Sequence, residues 1–266
     1  MVGSVNEMAG TRGRTGWRVA SSVIAGLMIA FGTANAVSAL AHETWQERRV
    51  IQEPVTILDV VNSTGGIVMV VGDDAVDRVT IDMTVSRGLQ APAHTERIEG
   101  NRAVVRGRCL WVVSVYCQID YRIRVPAGVS VVAHADGRSV EVSNVTGFLD
   151  LVSDGGNVEV LGGRSDSVRL DSDGGSVMVS GLSATSVDAS ASGGRVLLDL
   201  ASAPLSVTAS SDGGDVEIVL PDTTDTYRVD ISSDGGSTRA DVRTYVESDR
   251  LITAHSSGGD VTVRYR

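Results

Sequence analysis

An eight-residue stretch, Ser153-Asp154-Gly155-Gly156-Asn157-Val158-Glu159-Val160, recurs along this chain and limits what it can become. Further copies begin at Ser172, Ala191, Ser211, Ser233 and Ser256, an early one at Ser63, and a worn one is Asp136-Gly137-Arg138-Ser139-Val140-Glu141-Val142. The paired glycines are Gly65 and Gly66, Gly155 and Gly156, Gly174 and Gly175, Gly193 and Gly194, Gly213 and Gly214, Gly235 and Gly236, and Gly258 and Gly259. From Arg138, which stands in the worn copy, through the successive second glycines the spacings are 18, 19, 19, 20, 22 and 23 residues. A turn followed by alternating apolar residues, repeated about every 20 residues, is the signature of a β-solenoid.

Each unit predicts two short strands. After the glycines, Val158/Val160, Val177/Val179, Val196/Leu198, Val216/Ile218 and Val261/Val263 fall on one face. Before them, Leu149/Leu151, Val168/Leu170, Val187/Ala189, Val207/Ala209, Val229/Ile231 and Ile252/Ala254 do the same. Two such stripes close a core only by stacking on neighbouring units. The Asp-Gly-Gly corner is expected to supply a positive φ, with the Asp bonding its own backbone. Parallel crossovers predict a right-handed coil. The expected fold is therefore an all-β, right-handed solenoid. Its aromatic content of 4% suits a narrow core of Val and Leu.

The chain divides into four expected segments. Residues 1–41 carry Arg12, Arg14 and Arg18 ahead of an uncharged run from Val19 to Ala41. This reads as an export signal cut after Ala39-Leu40-Ala41, or as a retained membrane helix through residues 19–41. The length of the run favours the anchor, and both readings export residues 42–266. Residues 42–54 read as a charged linker. Residues 55–125 read as a less regular β meander that caps or begins the solenoid, with strands at 55–61, 67–71, 78–86, 102–107 and 119–125 and a loop at 87–100. Residues 126–266 hold the regular repeats. The net charge is −10, and −12 without the first 41 residues. An acidic body argues against a nucleic-acid partner, whose affinity comes from neutralised phosphates.

Cys109 and Cys117 are the two cysteines. Export puts them in an oxidising compartment, so a disulfide is expected over two buried thiols. Eight residues of straight strand would hold them about 26 Å apart, so the bridge requires a turn, placed near Ser114.

The Gly-Gly copies, with Val125-Pro126-Ala127-Gly128 and Leu220-Pro221-Asp222, resemble an exported bacterial "putative adhesin" family of unknown function over residues 55–266. The resemblance implies the repeat architecture and supplies no catalytic residues. Members often carry one N-terminal membrane helix, which adds weight to the anchor.

Stacking puts equivalent residues of successive units about 4.8 Å apart. The corner acids Asp136, Asp154, Asp173, Asp212 and Asp234 then form a column interrupted by Ser192, which reads as turn chemistry rather than a calcium ladder. Arg169 should lie between Asp150 and Asp188 and pair with both. Met178 and Leu197 occupy an outward column with Glu141, Glu159, Glu217, Arg239 and Thr262. They are either covered by a loop of the same chain or offered to a partner. Arg169, Met178, Leu197 and Arg239 are the candidate contact surface.

His42 falls in the linker and His94 in a loop. His134 and His255 occupy the same place in units six steps apart, about 29 Å, and cannot share a site. No metalloprotease, nucleophile-elbow or phosphate-loop motif is present. No catalytic residue, metal site or cofactor is assigned. The reading is a non-enzymatic envelope scaffold, its partner an envelope protein or polysaccharide. The alternatives are a carbohydrate-active solenoid enzyme and an accessory part of an envelope-stress or signalling system.

Overall fold

The computed structural model describes residues 41–110 and 116–266, with scattered positions between 23 and 40 (23–26, 28, 32–33, 37 and 40). The run expected to span a membrane at 19–41 lies largely outside the described residues, as does the turn expected near Ser114. Among the described residues no helix is long and apolar enough to cross a membrane.

The described residues form twenty strands. The first seven are β1 (Glu43–Val50), β2 (Ile57–Ser63), β3 (Val68–Gly72), β4 (Thr80–Arg87), β5 (Ala93–Glu99), β6 (Arg102–Arg108) and β7 (Gln118–Val125). The repeats follow as β8 (Ser130–Ala135), β9 (Val140–Ser143), β10 (Leu149–Ser153), β11 (Val158–Leu161), β12 (Arg164–Ser172), β13 (Val177–Ala191), β14 (Val196–Leu200), β15 (Ser206–Ser211) and β16 (Val216–Leu220). The last four are β17 (Arg228–Ser233), β18 (Thr238–Asp241), β19 (Leu251–Ser256) and β20 (Val261–Tyr265).

Strands before the corners and strands after them form two opposed faces. The pre-corner sheet runs β5-β6-β2-β8-β10-β12-β13-β15-β19-β17. The post-corner sheet runs β1-β4-β7-β3-β9-β11-β13-β14-β16-β20-β18. The fifteen-residue β13 belongs to both. Repeat strands pair in parallel, and both predicted stripes point inward. Val158, Val177, Val196, Val216 and Val261 face Leu149, Leu170, Val187, Val207 and Ile252 in one continuous buried core.

The rungs do not stack in the order of the sequence. β2 and β3 form a true rung beside β8 and β9, so the solenoid begins at Ile57 rather than at 126. The chain then leaves to build an outer rung from β6 and β7 before it returns. At the other end, β19 and β20 insert between the rung of β15 and β16 and the outermost rung of β17 and β18. Arg250 pins this return, bonding Asp225 at 3.1 Å and the carbonyls of Ala203 and Pro204 at 3.0 and 2.7 Å. The spacings of 22 and 23 residues at this point are the sequence trace of the detour.

Two segments assigned otherwise are strands. The expected linker contains β1, antiparallel to β4, and the expected loop contains β5, antiparallel to β6. Both are edge strands whose residues are mostly exposed. Charge on an edge blunts further pairing and erases the alternation by which a strand is recognised.

The corners differ from expectation in their chemistry. Of the corner glycines only Gly65 takes a positive φ, +74°. The second glycine is needed for close approach. A Cβ at Gly175 would stand 2.5 Å from the carbonyl oxygen of Gly156, and one at Gly214 would stand 2.9 Å from the nitrogen of Arg195. The corner is closed by serine rather than aspartate. Ser172 Oγ accepts the Gly175 N–H at 3.0 Å and donates to the Gly156 carbonyl of the neighbouring rung at 2.8 Å. Ser153, Ser211, Ser233 and Ser256 repeat this pair of bonds. Ala191 breaks the ladder between Ser172 and Ser211. A second ladder follows the glycines: Ser139, Asn157 and Ser176 each accept the backbone N–H of the next rung.

Tyr227 is fully buried beneath the C-terminal detour, and its hydroxyl has no hydrogen-bond partner among the described residues. Burial pushes its pKa up to about 12.

Ser172→Ala strips partners from two corner groups and is expected to cost about 2–3 kcal/mol. Ala191→Ser should complete the ladder and raise the melting temperature, while Gly175→Ala should lower it most, because backbone cannot yield to the new methyl. Chemical denaturation of the three variants checks the order Ala191→Ser, wild type, Ser172→Ala, Gly175→Ala. Tyr227→Phe should leave stability unchanged or raise it by about 1 kcal/mol, since an unpaired hydroxyl is desolvated for no return. A clear loss in the same assay would reveal a partner for that hydroxyl.

Candidate functional site

Side chains that alternate with the core stripes form ladders on the outer faces. On the post-corner sheet the register is Arg122, Met69, Glu141, Glu159, Met178, Leu197, Glu217, Thr262, Arg239. Met178 and Leu197 are adjacent and half-buried. Leu161, in the neighbouring ladder, is 60% exposed. They line an open groove of about 440 Å³. Met69 lines the same groove from beyond Glu141 and Glu159, which stand between it and Met178 in the ladder. Every lining residue belongs to this sheet, so among the described residues no loop covers it. The four candidate contact residues are therefore not one surface. Met178 and Leu197 lie together, Arg239 lies three rungs beyond Leu197 and pairs with Asp241, and Arg169 is on the opposite sheet.

Strand register places Arg169 opposite both Asp150 and Asp188, yet no ion pair within 4.0 Å joins it to either among the described residues. Asp171, on the same strand, has its carboxyl pushed above the usual range. Burial is the main cause, then Asp173, with Arg169 opposing and Asp188 and Asp150 adding.

A second cavity, about 590 Å³, lies at the outer end of the pre-corner sheet. Arg97, Arg102, Arg106 and Arg108 line it with Asp59 and Glu99. Asp59 is almost buried and holds Arg102 at 2.8 Å and Arg106 at 3.3 Å. Four arginines here are a local cationic concentration on an acidic body.

Between β6 and β7 the corner is closed by a Cys109–Cys117 disulfide in place of the glycine pair, with a Cα–Cα distance of 6.1 Å. Close by, His94 lies on a strand rather than a loop. Its Nδ1 is 2.9 Å from the Tyr121 hydroxyl and its Nε2 2.6 Å from Glu96. Burial, with Glu96 adding, holds the Tyr121 hydroxyl well above its ordinary range, the reverse of what a nucleophile requires.

His134 and His255 share a ladder but stand five rungs apart rather than six, about 24 Å, because the last rungs are interchanged. His134 points at two corner acids: its Nε2 is 2.9 Å from Asp154 and 3.5 Å from Asp136. In the sequence the acid column and the histidines form separate patterns, and the structure joins them at this corner. The His-x-Asp spacing at 134–136 on a strand end was the available signal.

A family described as Toastrack DUF4097 matches residues 128–265, more than half of the chain. The chain belongs to this family. No curated protein matches the sequence. Among solved structures, a "putative lipid binding protein" from Parabacteroides distasonis shares 11% identity, covering 82% of this chain and 97% of its own, with a TM-score of 0.50. A "putative adhesin" from the same species shares 15% identity over 83% and 97%, with a TM-score of 0.49. Another, from Bacteroides fragilis, shares 13% over 84% and 97%, with a TM-score of 0.42. The Toastrack match begins at Gly128, yet the rungs of β2/β3 and β6/β7 extend the same stack on the N-terminal side of that boundary.

Asp171→Asn tests the electrostatics of the pre-corner sheet. A folded-state carboxyl held above its unfolded value destabilises the fold at high pH, and that penalty fades as pH falls through the folded value and is gone below the unfolded one. The variant is expected to melt higher than wild type at pH 7, with the difference closing towards pH 3. A difference independent of pH would exclude titration of Asp171 as its source.

Proposed function

We propose that this protein is an exported, non-enzymatic envelope module that binds a protein partner through the groove of Met69, Leu161, Met178 and Leu197. The observation that supports this is the apolar pair Met178 and Leu197 at consecutive outward positions, flanked in the ladder by Glu159 and Glu217. Surface apolar groups grouped into one patch mark interaction sites, whereas scattered ones do not. Glu141 and Glu159 border the patch, so the partner presents an apolar ridge flanked by basic residues. No aromatic ring lines the groove for stacking on a sugar, which favours a protein over a polysaccharide. The run at residues 19–41 delivers the module across the membrane and, uncleaved, holds it there.

Capture from envelope extract by the full chain tests the reading. Binding along a ladder is shared among several side chains, so Leu197→Ala should weaken capture modestly. Met178→Asp combined with Leu197→Asp should abolish it, and Arg169→Ala, on the far sheet, should leave it unchanged. Equal losses from Arg169→Ala and Leu197→Ala would move the contact elsewhere. Release of reducing sugar from envelope polysaccharide, lost on a single carboxylate change, would make this an enzyme.

A further inference from the structure

We propose that His134, Asp136 and Asp154 bind one divalent transition-metal ion of the zinc class, clamping two neighbouring rungs at their corner. The site lies on the pre-corner side, away from the groove described above, and is independent of that reading.

The geometry follows from the repeat. Ala133 and Ala135 face the core, so His134 and Asp136 emerge on the same outward side of the strand end. The register of β8 with β10 sets Ser153 against Ala135 and brings Asp154 beside Asp136. One donor atom from each of the three residues falls within a 4.8 Å group. A tetrahedral zinc ion with bonds of about 2.0–2.1 Å needs donors about 3.3 Å apart. The separations of 2.9 and 3.5 Å from His134 Nε2 bracket that value.

The donor set narrows the ion. One ring nitrogen faces two carboxylates, and a neutral imidazole can donate a single proton from it, to only one of them. A cation placed between the three satisfies all at once and offsets the repulsion between the acids. Calcium and magnesium take oxygen ligands, whereas an imidazole with carboxylates suits zinc. All three side chains are partly exposed, which leaves the fourth position to water.

The same molecule contains a built-in comparison. His255 stands in the same ladder, but Ser257 replaces the acid two residues on, and Asp234 of the adjacent rung is 3.9 Å from its Nε2. Its Nδ1 is hydrogen-bonded to Ser232 at 2.9 Å. With only Asp234, among the described residues, within 4.0 Å of its ring, this corner lacks the second carboxylate donor.

Titration calorimetry of the untagged full chain with zinc chloride, paired with thermal melts, tests the assignment. Wild type is expected to bind one zinc ion and to melt higher with zinc than with chelator. His134→Ala and Asp136→Ser should each weaken binding at least tenfold and remove the zinc-dependent rise, while melting like wild type in chelator. His255→Ala should bind as wild type does. Ser257→Asp, which gives the second corner its missing acid, should raise the stoichiometry to two. No binding by wild type at millimolar zinc, or equal losses from His134→Ala and His255→Ala, would overturn the site. A stoichiometry of one after Ser257→Asp would overturn the role given to the second carboxylate.

Discussion

Everything in this structure depends on how closely successive corners approach. Strands in a sheet lie about 4.8 Å apart, and a solenoid must hold that spacing through its turns as well as its strands. At the second glycine of each corner even a methyl group would collide with the backbone of the next rung. The second glycine is thus a steric requirement of stacking rather than of backbone direction. With the corners that close, one serine hydroxyl can serve two rungs, accepting from its own corner and donating to its neighbour. Each turn thereby continues the hydrogen-bond ladder of the strands, and buried polar groups at the corners stay paired.

The ends obey a different constraint. A stack of parallel rungs exposes unpaired backbone at both termini, which invites association with another chain. At the N-terminal end, antiparallel β1, β4 and β5 add charged strands, and a disulfide closes the corner of the outer rung. At the C-terminal end, β17 and β18 are short and largely exposed, and Arg239 and Asp241 sit on the edge itself. At each end the chain runs outward and folds back one place. The penultimate rung is consequently held by two segments distant in sequence, which ties the terminal rung to the stack.

The fold was legible because its periodicity is physical. Val158, Val177 and Val196 must point inward for any unit to have a core, and a repeat of about 20 residues leaves few other arrangements. What was hidden follows from the same logic. Stacking in sequence order was the simplest assumption, and only the lengthened spacings around Gly236 marked the interchange of the last rungs. Edge strands β1 and β5 lack alternation because neither of their faces is buried. In an isolated turn the Asp would bond its own backbone, but in a stack of turns Ser172 and its equivalents bridge two rungs and close the corner instead. The cluster at His134 is hidden for a related reason: its members come from two columns of the repeat that meet only in the folded stack.

This division explains why architecture and function separate so sharply in such a chain. Inward positions are fixed by packing and the corner glycines by contact, so those residues vary little from unit to unit. Outward positions meet no such demand. Glu159, Met178, Leu197 and Glu217 occupy equivalent places on consecutive rungs, yet they span both charge and apolarity. A patch needs only a few such substitutions in adjacent units, because stacking brings them to about 4.8 Å without any change in fold. A binding surface can therefore arise on this scaffold at nearly no cost to stability. Its position is encoded in the departures from the repeat rather than in the repeat itself. Met178 beside Leu197, and His134 beside the corner acids Asp136 and Asp154, are such departures, and each group spans two rungs.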